Sequence, residues 1–157
     1  MRKKDLLGLL GLMLMTVFTL TACGSDSDDD DPLFGDSSSI VGEWAYVEYD
    51  NNELYIESIN FKSNGSFSVV EYDCTGSNLN SDNGRITYVD KGSFSGTYTT
   101  ANGVLTMTVN GQASQCPYSV SSSQLLLNIN GTRYQYDKMT DDIREIFNSA
   151  ERFYQNQ

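Results

Sequence analysis

Histidine is absent from this 157-residue chain, which removes the side chain most often used as a general base and metal ligand. Basic residues are also scarce, 10 against 21 acidic ones, for a net charge of −11. Nucleic-acid binding needs a basic face, so we expect no nucleic-acid partner. We likewise expect no metal centre and no cofactor.

The same scarcity argues against an enzyme. Serine is plentiful, but no histidine can activate it and no nucleophile elbow occurs. Residues 78–84 resemble a calcium loop, yet the glycine comes one place late and the required glutamate is missing, which indicates a turn. Glu48 and Glu57 could act as acid and base in glycoside hydrolysis, and a carboxylate-based hydrolase remains the least favoured alternative.

The amino terminus is typical of an export signal. Arg2, Lys3 and Lys4 precede an apolar run over residues 6–20, shorter than the roughly 20 residues of a membrane-spanning helix. The segment Leu20-Thr21-Ala22-Cys23 resembles the bacterial lipobox, which implies a signal peptide over residues 1–22 and lipidation of Cys23. The expected membrane contact is therefore a lipid anchor.

An acidic tether follows over residues 23–39. Ser27 and the aspartates 28–31 resemble the lipoprotein export signal of Bacteroidetes, which implies a lipid-anchored outer-membrane protein exposed on the cell surface. The alternative is a solvated spacer kept extended by charge repulsion, with a periplasm-facing orientation.

Cleavage before Cys23 leaves 135 residues and, because three basic residues and one acidic residue are lost, a net charge of −13. Residues 40–157 have the length of one domain. Cys74 and Cys116 are a candidate disulfide in an oxidising compartment, with two free buried thiols as the alternative.

The body of the chain is patterned as an antiparallel sheet with tight turns. Asn-Gly, the strongest short-range hairpin signal, occurs five times, at Asn64, Asn83, Asn102, Asn110 and Asn130. Nine strand segments are predicted: 41–49, 54–61, 66–73, 85–89, 94–100, 104–109, 117–121, 124–129 and 132–138, with one boundary open to a merge. Short connections favour an all-β, up-and-down barrel of about eight strands, with a β-sandwich as the second possibility.

Alternation predicts which residues face the barrel interior: Ile59, Phe61, Phe67, Val69, Leu105, Met107, Val109, Leu125, Leu127 and Ile129. The period then changes to three or four residues, which predicts an amphipathic helix over 141–155 capped by Thr140. Its apolar stripe, Ile143, Ile146, Phe147, Ala150 and Tyr154, is expected to pack on the barrel or cover one end. A partner-binding helix is the alternative.

The first strand carries Gly42 and Trp44, a Gly-x-Trp motif that resembles the lipocalin signature. With the Phe61–Phe67 hairpin, which has Asn64-Gly65 at its turn, and with Gly96-Thr97-Tyr98, the layout also resembles the lipocalin-like lipoproteins of Bacteroidetes. The lipocalin resemblance implies that Trp44 plugs the closed end, covered by a cation from the last strand. Lys138 is the first candidate for that cation and Arg133 the second.

A barrel of this size holds side chains or one small ligand. If Trp44 marks the closed end, residues further along the strands approach the mouth. The candidate ligand-binding residues are Tyr46, Glu48, Tyr55, Glu57, Glu71, Tyr134 and Tyr136. Tyrosine suits sugar rings and small aromatics, so we expect a small apolar or glycan-like ligand; ordinary sheet packing also explains the tyrosines. A protein that interacts through the barrel exterior or the helix is the main alternative, with no protein partner identified.

Overall fold

The computed structural model describes residues 39–50, 52–81 and 83–157. The predicted signal peptide, the lipidated Cys23 and nearly all of the acidic tether lie outside these described residues.

Eight antiparallel strands form a closed up-and-down barrel in which each strand pairs with its sequence neighbours and β1 pairs with β8. The strands are β1 Gly42–Asp50, β2 Glu53–Phe61, β3 Ser66–Ser77, β4 Arg85–Ala101, β5 Val104–Val109, β6 Gln112–Val120, β7 Gln124–Ile129 and β8 Thr132–Lys138. A helix, α1, spans Asp141–Tyr154. The predicted barrel with a carboxy-terminal helix is confirmed, and the β-sandwich is wrong because the sheet closes on itself.

Three of the Asn-Gly pairs form two-residue hairpin turns. Asn102, Asn110 and Asn130 have φ of 51°, 52° and 52°, and the glycine after each is also at positive φ. Positive φ at both positions is the type I′ geometry, whose twist matches that of the flanking strands. These turns set the β4–β5, β5–β6 and β7–β8 registers.

The predicted segments 85–89 and 94–100 are one continuous strand, β4, which is the merge that the prediction left open. Gly92 in this strand lies opposite Glu71, whose side chain occupies the space where a Cβ would stand.

Two predicted boundaries are wrong: β3 ends at Ser77 rather than Asp73, and the start of β6 also differs. β6 begins at Gln112 rather than Pro117. Pro117 is tolerated inside β6 because pairing with β7 begins only at the next residue, Tyr118.

The sheet has apolar cores on both faces. The ten residues predicted to face inward are all buried, and all belong to the barrel interior, together with Trp44 and Tyr136. A second core lies on the outer face, where α1 covers side chains such as Ile56, Tyr72 and Cys74.

The helix packs as predicted, on the outside of the barrel. Thr140 Oγ1 accepts a hydrogen bond from Ile143 N–H at 3.3 Å, and Phe147 and Ala150 are buried. Tyr154 was assigned to the apolar stripe but is exposed, and Phe153 packs against the outer core instead. Because the other four residues of the stripe pack against the outer core, most of the apolar surface that a partner-binding helix would need is covered.

Trp44 lies at one end of the barrel interior, in register with Lys138 of β8. Lys138 Nζ is 4.2 Å from the centroid of the indole ring, and Trp44 Nε1 donates to Ile40 O at 2.8 Å. Lys138, not Arg133, is therefore the cation over Trp44. Gly42 has φ of 138°, and a Cβ there would overlap the Lys138 ammonium group.

The predicted disulfide between Cys74 and Cys116 is wrong: both are free, buried thiols. Cys74 belongs to the outer core under α1, whereas Cys116 belongs to the barrel interior. The two side chains therefore point to opposite faces of the sheet.

Candidate functional site

Strand register brings together the seven residues that the sequence nominated as ligand-binding. Tyr46 lies opposite Glu57, which lies opposite Glu71 on the next strand, and Tyr55 lies opposite Glu48. Tyr134 and Tyr136 reach the same region from β8 through ring contacts with Tyr46. We call this group the Tyr–Glu cluster: Tyr46, Glu48, Tyr55, Glu57, Glu71, Tyr134 and Tyr136.

The cluster lies beyond Trp44 along β1, toward the β1–β2 turn. Trp44, Tyr46 and Glu48 are alternate residues of one strand, so they share the inner face in that order. The barrel interior therefore changes along its length, from an apolar core around Trp44 to tyrosine and carboxylate side chains.

Hydrogen bonds join four of the cluster's residues across β8, β2 and β3, and a separate hydrogen-bonded pair lies on β1. Tyr136 Oη donates to Glu57 Oε1 at 2.7 Å, and Tyr55 Oη lies 2.9 Å from Glu57 Oε2. The same Tyr55 hydroxyl lies 2.9 Å from Glu71 Oε2. Tyr46 Oη donates to Glu48 Oε2 at 3.0 Å. Both oxygens of Glu57 are thus bonded to tyrosine hydroxyls.

Aromatic faces surround these polar groups. The Tyr46 ring contacts the rings of Tyr55, Tyr134 and Tyr136 at centroid distances of 6.2, 6.3 and 5.7 Å. Tilted and edge-to-face pairs at such separations are favourable and restrict ring motion. The tyrosines therefore hold their hydroxyls in a defined arrangement.

Burial falls from the centre of the cluster outward. Glu57 is 1% exposed and Tyr136 is fully buried, while Tyr46, Glu48, Tyr55, Glu71 and Tyr134 are partly exposed. Solvent therefore reaches the five partly exposed residues but not Glu57 or Tyr136. A ligand approaching from this end would meet tyrosine rings, hydroxyls and carboxylates first.

Desolvation dominates the electrostatics of the site. Burial raises the pKa of Glu57 from 4.5 to about 7, against the hydrogen bonds from Tyr136 and Tyr55, which lower it, and with the charge of Glu71, which raises it. Burial, followed by Asp73 and Asp90 among the neighbouring charges, raises the pKa of Glu71. The tyrosine pKa values are raised by burial and nearby carboxylates, that of Tyr46 to about 12, so the phenols stay neutral near pH 7.

Two acidic residues extend the site beyond the seven nominated. Asp73 lies directly opposite Asp90, one alternate position along β3 from Glu71, and Gly92 faces Glu71. Asp90 was missed because the sequence pattern placed a strand break there. Like charges directly opposite each other destabilise a sheet. The recurrence of acidic residues along these strands was therefore the sequence signal that pointed to this site.

The side chains of the Tyr–Glu cluster present hydroxyl groups, carboxylates and aromatic rings. Within residues 39–50, 52–81 and 83–157, no group of three or more Asp, Glu or Cys side chains is arranged to hold a metal ion. In those same ranges, no helix has the length and apolarity to cross a membrane.

A cleft of about 30 Å³ lies where β6 and β7 separate, lined by Pro117, Tyr118, Leu126, Asn128 and Arg133 among others. This volume is close to that of one water molecule. This volume is too small for a ligand the size of a sugar ring.

Comparison with protein-family models, with characterised proteins and with solved structures finds no significant match to this chain.

Proposed function

We propose that this protein is a non-enzymatic, lipid-anchored surface lipoprotein whose barrel binds a small ligand at the Tyr–Glu cluster. The observation that supports this most is the change inside the barrel from an apolar core to a partly exposed set of tyrosine and glutamate side chains. A barrel made only for stability has no reason to bury a carboxylate such as Glu57, since that is costly. Binding sites are often built from a few convergent polar groups with perturbed pKa values.

The partly exposed tyrosine and glutamate side chains of the cluster indicate which class of ligand would bind. Tyrosine rings favour flat, weakly polar faces such as those of sugar rings and small aromatics. Carboxylates accept hydrogen bonds from ligand hydroxyl or amino groups. A glycan-like or hydroxyl-bearing aromatic ligand therefore fits better than a purely apolar one.

Native mass spectrometry of the mature protein, released gently from its own membrane, tests the binding proposal. We expect an adduct of reproducible mass on the wild type, loss of that adduct in Tyr46→Ala, and retention in Tyr49→Ala. Tyr49 is the matched control because it lies on the outer face of the same strand, 44% exposed. A wild-type protein that carries no adduct would contradict the proposal and favour an interaction role for the barrel exterior.

A hydrolase using Glu48 and Glu57 is the less favoured function. Glu57 is 1% exposed and both its oxygens are bonded to tyrosines, so substrate would have to displace those bonds to reach it. If any glycosidase activity is found, Glu57→Gln and Glu48→Gln should leave it unchanged.

The proposed anchor and orientation rest on residues 20–31 and have separate tests. Metabolic labelling with a fatty-acid analogue should mark the wild type and not Cys23→Ser. Protease treatment of whole cells should remove the wild-type domain, and replacement of the four aspartates 28–31 by alanine should protect it. Unchanged exposure in that variant would support the spacer interpretation of the acidic run.

A further inference from the structure

The hydrogen-bond geometry of the Tyr–Glu cluster contains one donor too few. Tyr55 Oη lies 2.9 Å from Glu57 Oε2 and also 2.9 Å from Glu71 Oε2. A phenol carries a single hydrogen, so it can donate fully to only one of two ionised carboxylates. The second contact is a good hydrogen bond only if one of the three oxygens brings another hydrogen.

Burial identifies which residue supplies that hydrogen. Glu57 is 1% exposed, whereas Glu71 is partly exposed, and the two residues lie directly opposite each other on β2 and β3. Ionisation of both carboxyls is unfavourable, because desolvation and mutual repulsion both favour the protonated form of one of them. The described groups that hydrogen-bond Glu57 are both hydroxyls, not cations.

We propose that Glu57 and Glu71 hold one proton between them at neutral pH, with the Tyr55 hydroxyl as the bridge. The protonated Glu57 Oε2 donates to Tyr55 Oη, and the Tyr55 hydroxyl donates to the ionised Glu71 Oε2. Tyr136 donates to the remaining oxygen, Glu57 Oε1, so each contact in the chain has one hydrogen.

The same chain is a route by which the buried proton can leave. The Glu57 O–H bond breaks as a new O–H bond forms on Tyr55 Oη. The original Tyr55 hydrogen transfers to Glu71 Oε2, and from this partly exposed carboxyl it passes to water. The result is ionised Glu57, neutral Tyr55 and ionised Glu71, so the charge of the pair changes from −1 to −2 as pH rises.

Other titratable groups face the pair from every neighbouring strand of the barrel: Tyr46 and Glu48 from β1, Asp73 from β3, Asp90 from β4, and Tyr134 and Tyr136 from β8. These phenols are neutral near pH 7, and the carboxylates are of the same sign as the pair. The environment therefore favours retention of the shared proton. This inference does not depend on the proposed function, because it concerns the ligand-free protein.

Carbon-13 NMR titration of glutamate-labelled, full-length mature protein tests the proposal. In the wild type we expect the Glu57 and Glu71 carboxyl signals each to show two steps with common midpoints, as coupled groups do, the later step near pH 7. Glu57→Gln and Glu71→Gln assign the two signals. Independent single steps for the two residues would overturn the shared proton.

A double-mutant cycle separates the bridge from simple repulsion. Glu71→Gln should lower the Glu57 midpoint by about one pH unit, and this shift should be much smaller in a Tyr55→Phe background, where the bridging hydroxyl is gone. Glu43→Gln is the matched control, because Glu43 lies on the outer face of β1, where it pairs with Arg144 of the helix, and it should leave the Glu57 midpoint nearly unchanged. Equal shifts in the two backgrounds would mean that repulsion alone couples the carboxyls and would contradict the bridge.

Discussion

Single residues at the Trp44 end show how closely backbone and side chain are matched. Gly42 adopts φ of 138°, which other residues rarely adopt, and leaves the space that the Lys138 ammonium group occupies over the indole ring. Glycine is therefore required at this position for two reasons: the backbone conformation and the space taken by Lys138.

We expect Gly42→Ala to lower the free energy of unfolding by about 2 kcal/mol or more, because it adds a steric overlap to the backbone strain. Gly111→Ala is the control: its φ is 82°, but nothing lies within 4 Å of an added Cβ. Urea denaturation should show a larger loss for Gly42→Ala than for Gly111→Ala. Lys138→Met should relieve part of the difference; equal losses in all backgrounds would mean that the overlap has no energetic effect.

Glu57 gives the protein a pH dependence of stability. Its pKa is raised from 4.5 to about 7 on folding, so the folded state binds the proton more tightly than the unfolded state between these values. The free energy of unfolding should therefore be highest below pH 4.5 as far as this group is concerned, and fall as pH rises to about 7. The pKa change corresponds to a loss on the order of 3 kcal/mol.

Glu57→Gln should remove most of this dependence, because glutamine resembles the protonated acid. We expect the variant to be more stable than the wild type at pH 8, by about 1–2 kcal/mol, and similar to it at pH 5. Urea denaturation at the two pH values measures both. A variant that is less stable at pH 8 would show that the ionised carboxylate is the form the fold stabilises.

Among the secondary-structure elements, α1 makes the outer face of the barrel a second core. Asp141 and Asp142 lie in its first turn, where they interact favourably with the helix dipole, and Arg152 lies in its last turn. Lys91 on β4 forms an ion pair with Glu151 at 2.7 Å, which joins the helix to the sheet. Most of the stability of the docked helix nonetheless comes from apolar contacts such as that between Phe147 and Tyr72.

Phe147→Ala should therefore destabilise the whole domain, by about 3 kcal/mol, as expected when a buried aromatic side chain is removed from a core. Asn148→Ala, at the next and exposed position, should change the free energy of unfolding by less than about 0.5 kcal/mol. The comparison is made from urea midpoints at equal slope. An unchanged midpoint in Phe147→Ala would mean that the helix docks without contributing to the cooperative unit.

For the molecule as a whole, the closed sheet separates two cores and so separates the two cysteines. Burial raises the pKa of Cys74 to about 12 and that of Cys116 to about 11, which leaves little reactive thiolate. We expect neither thiol to react with a disulfide reagent in the native protein and both to react after unfolding. The melting temperature should not change on adding a reductant; a Cys74–Cys116 linked peptide in a non-reducing digest would contradict this.

Much of the architecture was predictable because it follows from local chemistry. Asn-Gly pairs at 102, 110 and 130 set three turns, and strict alternation identified the inward faces of β2, β3, β5 and β7. The same alternation placed Tyr46, Glu48, Tyr55, Glu57 and Glu71 on one side of the sheet. Errors arose where a polar stretch continues a strand, as at Asp90 and Gly92, since a break and a close packing contact look alike in sequence.

The sequence by itself thus determined the strand order, the faces and the residue types that meet inside the barrel. Only the tertiary structure decided how deep each one lies, because depth depends on closure between β1 and β8 and on the stagger of all the strands between them. Closure puts Tyr136 against Glu57 and so makes Glu57, among several similar acids, the buried one. The structure also decided the faces of the two cysteines, because Cys116 lies in the part of β6 that the sequence pattern did not identify as a strand, and it points inward whereas Cys74 points outward.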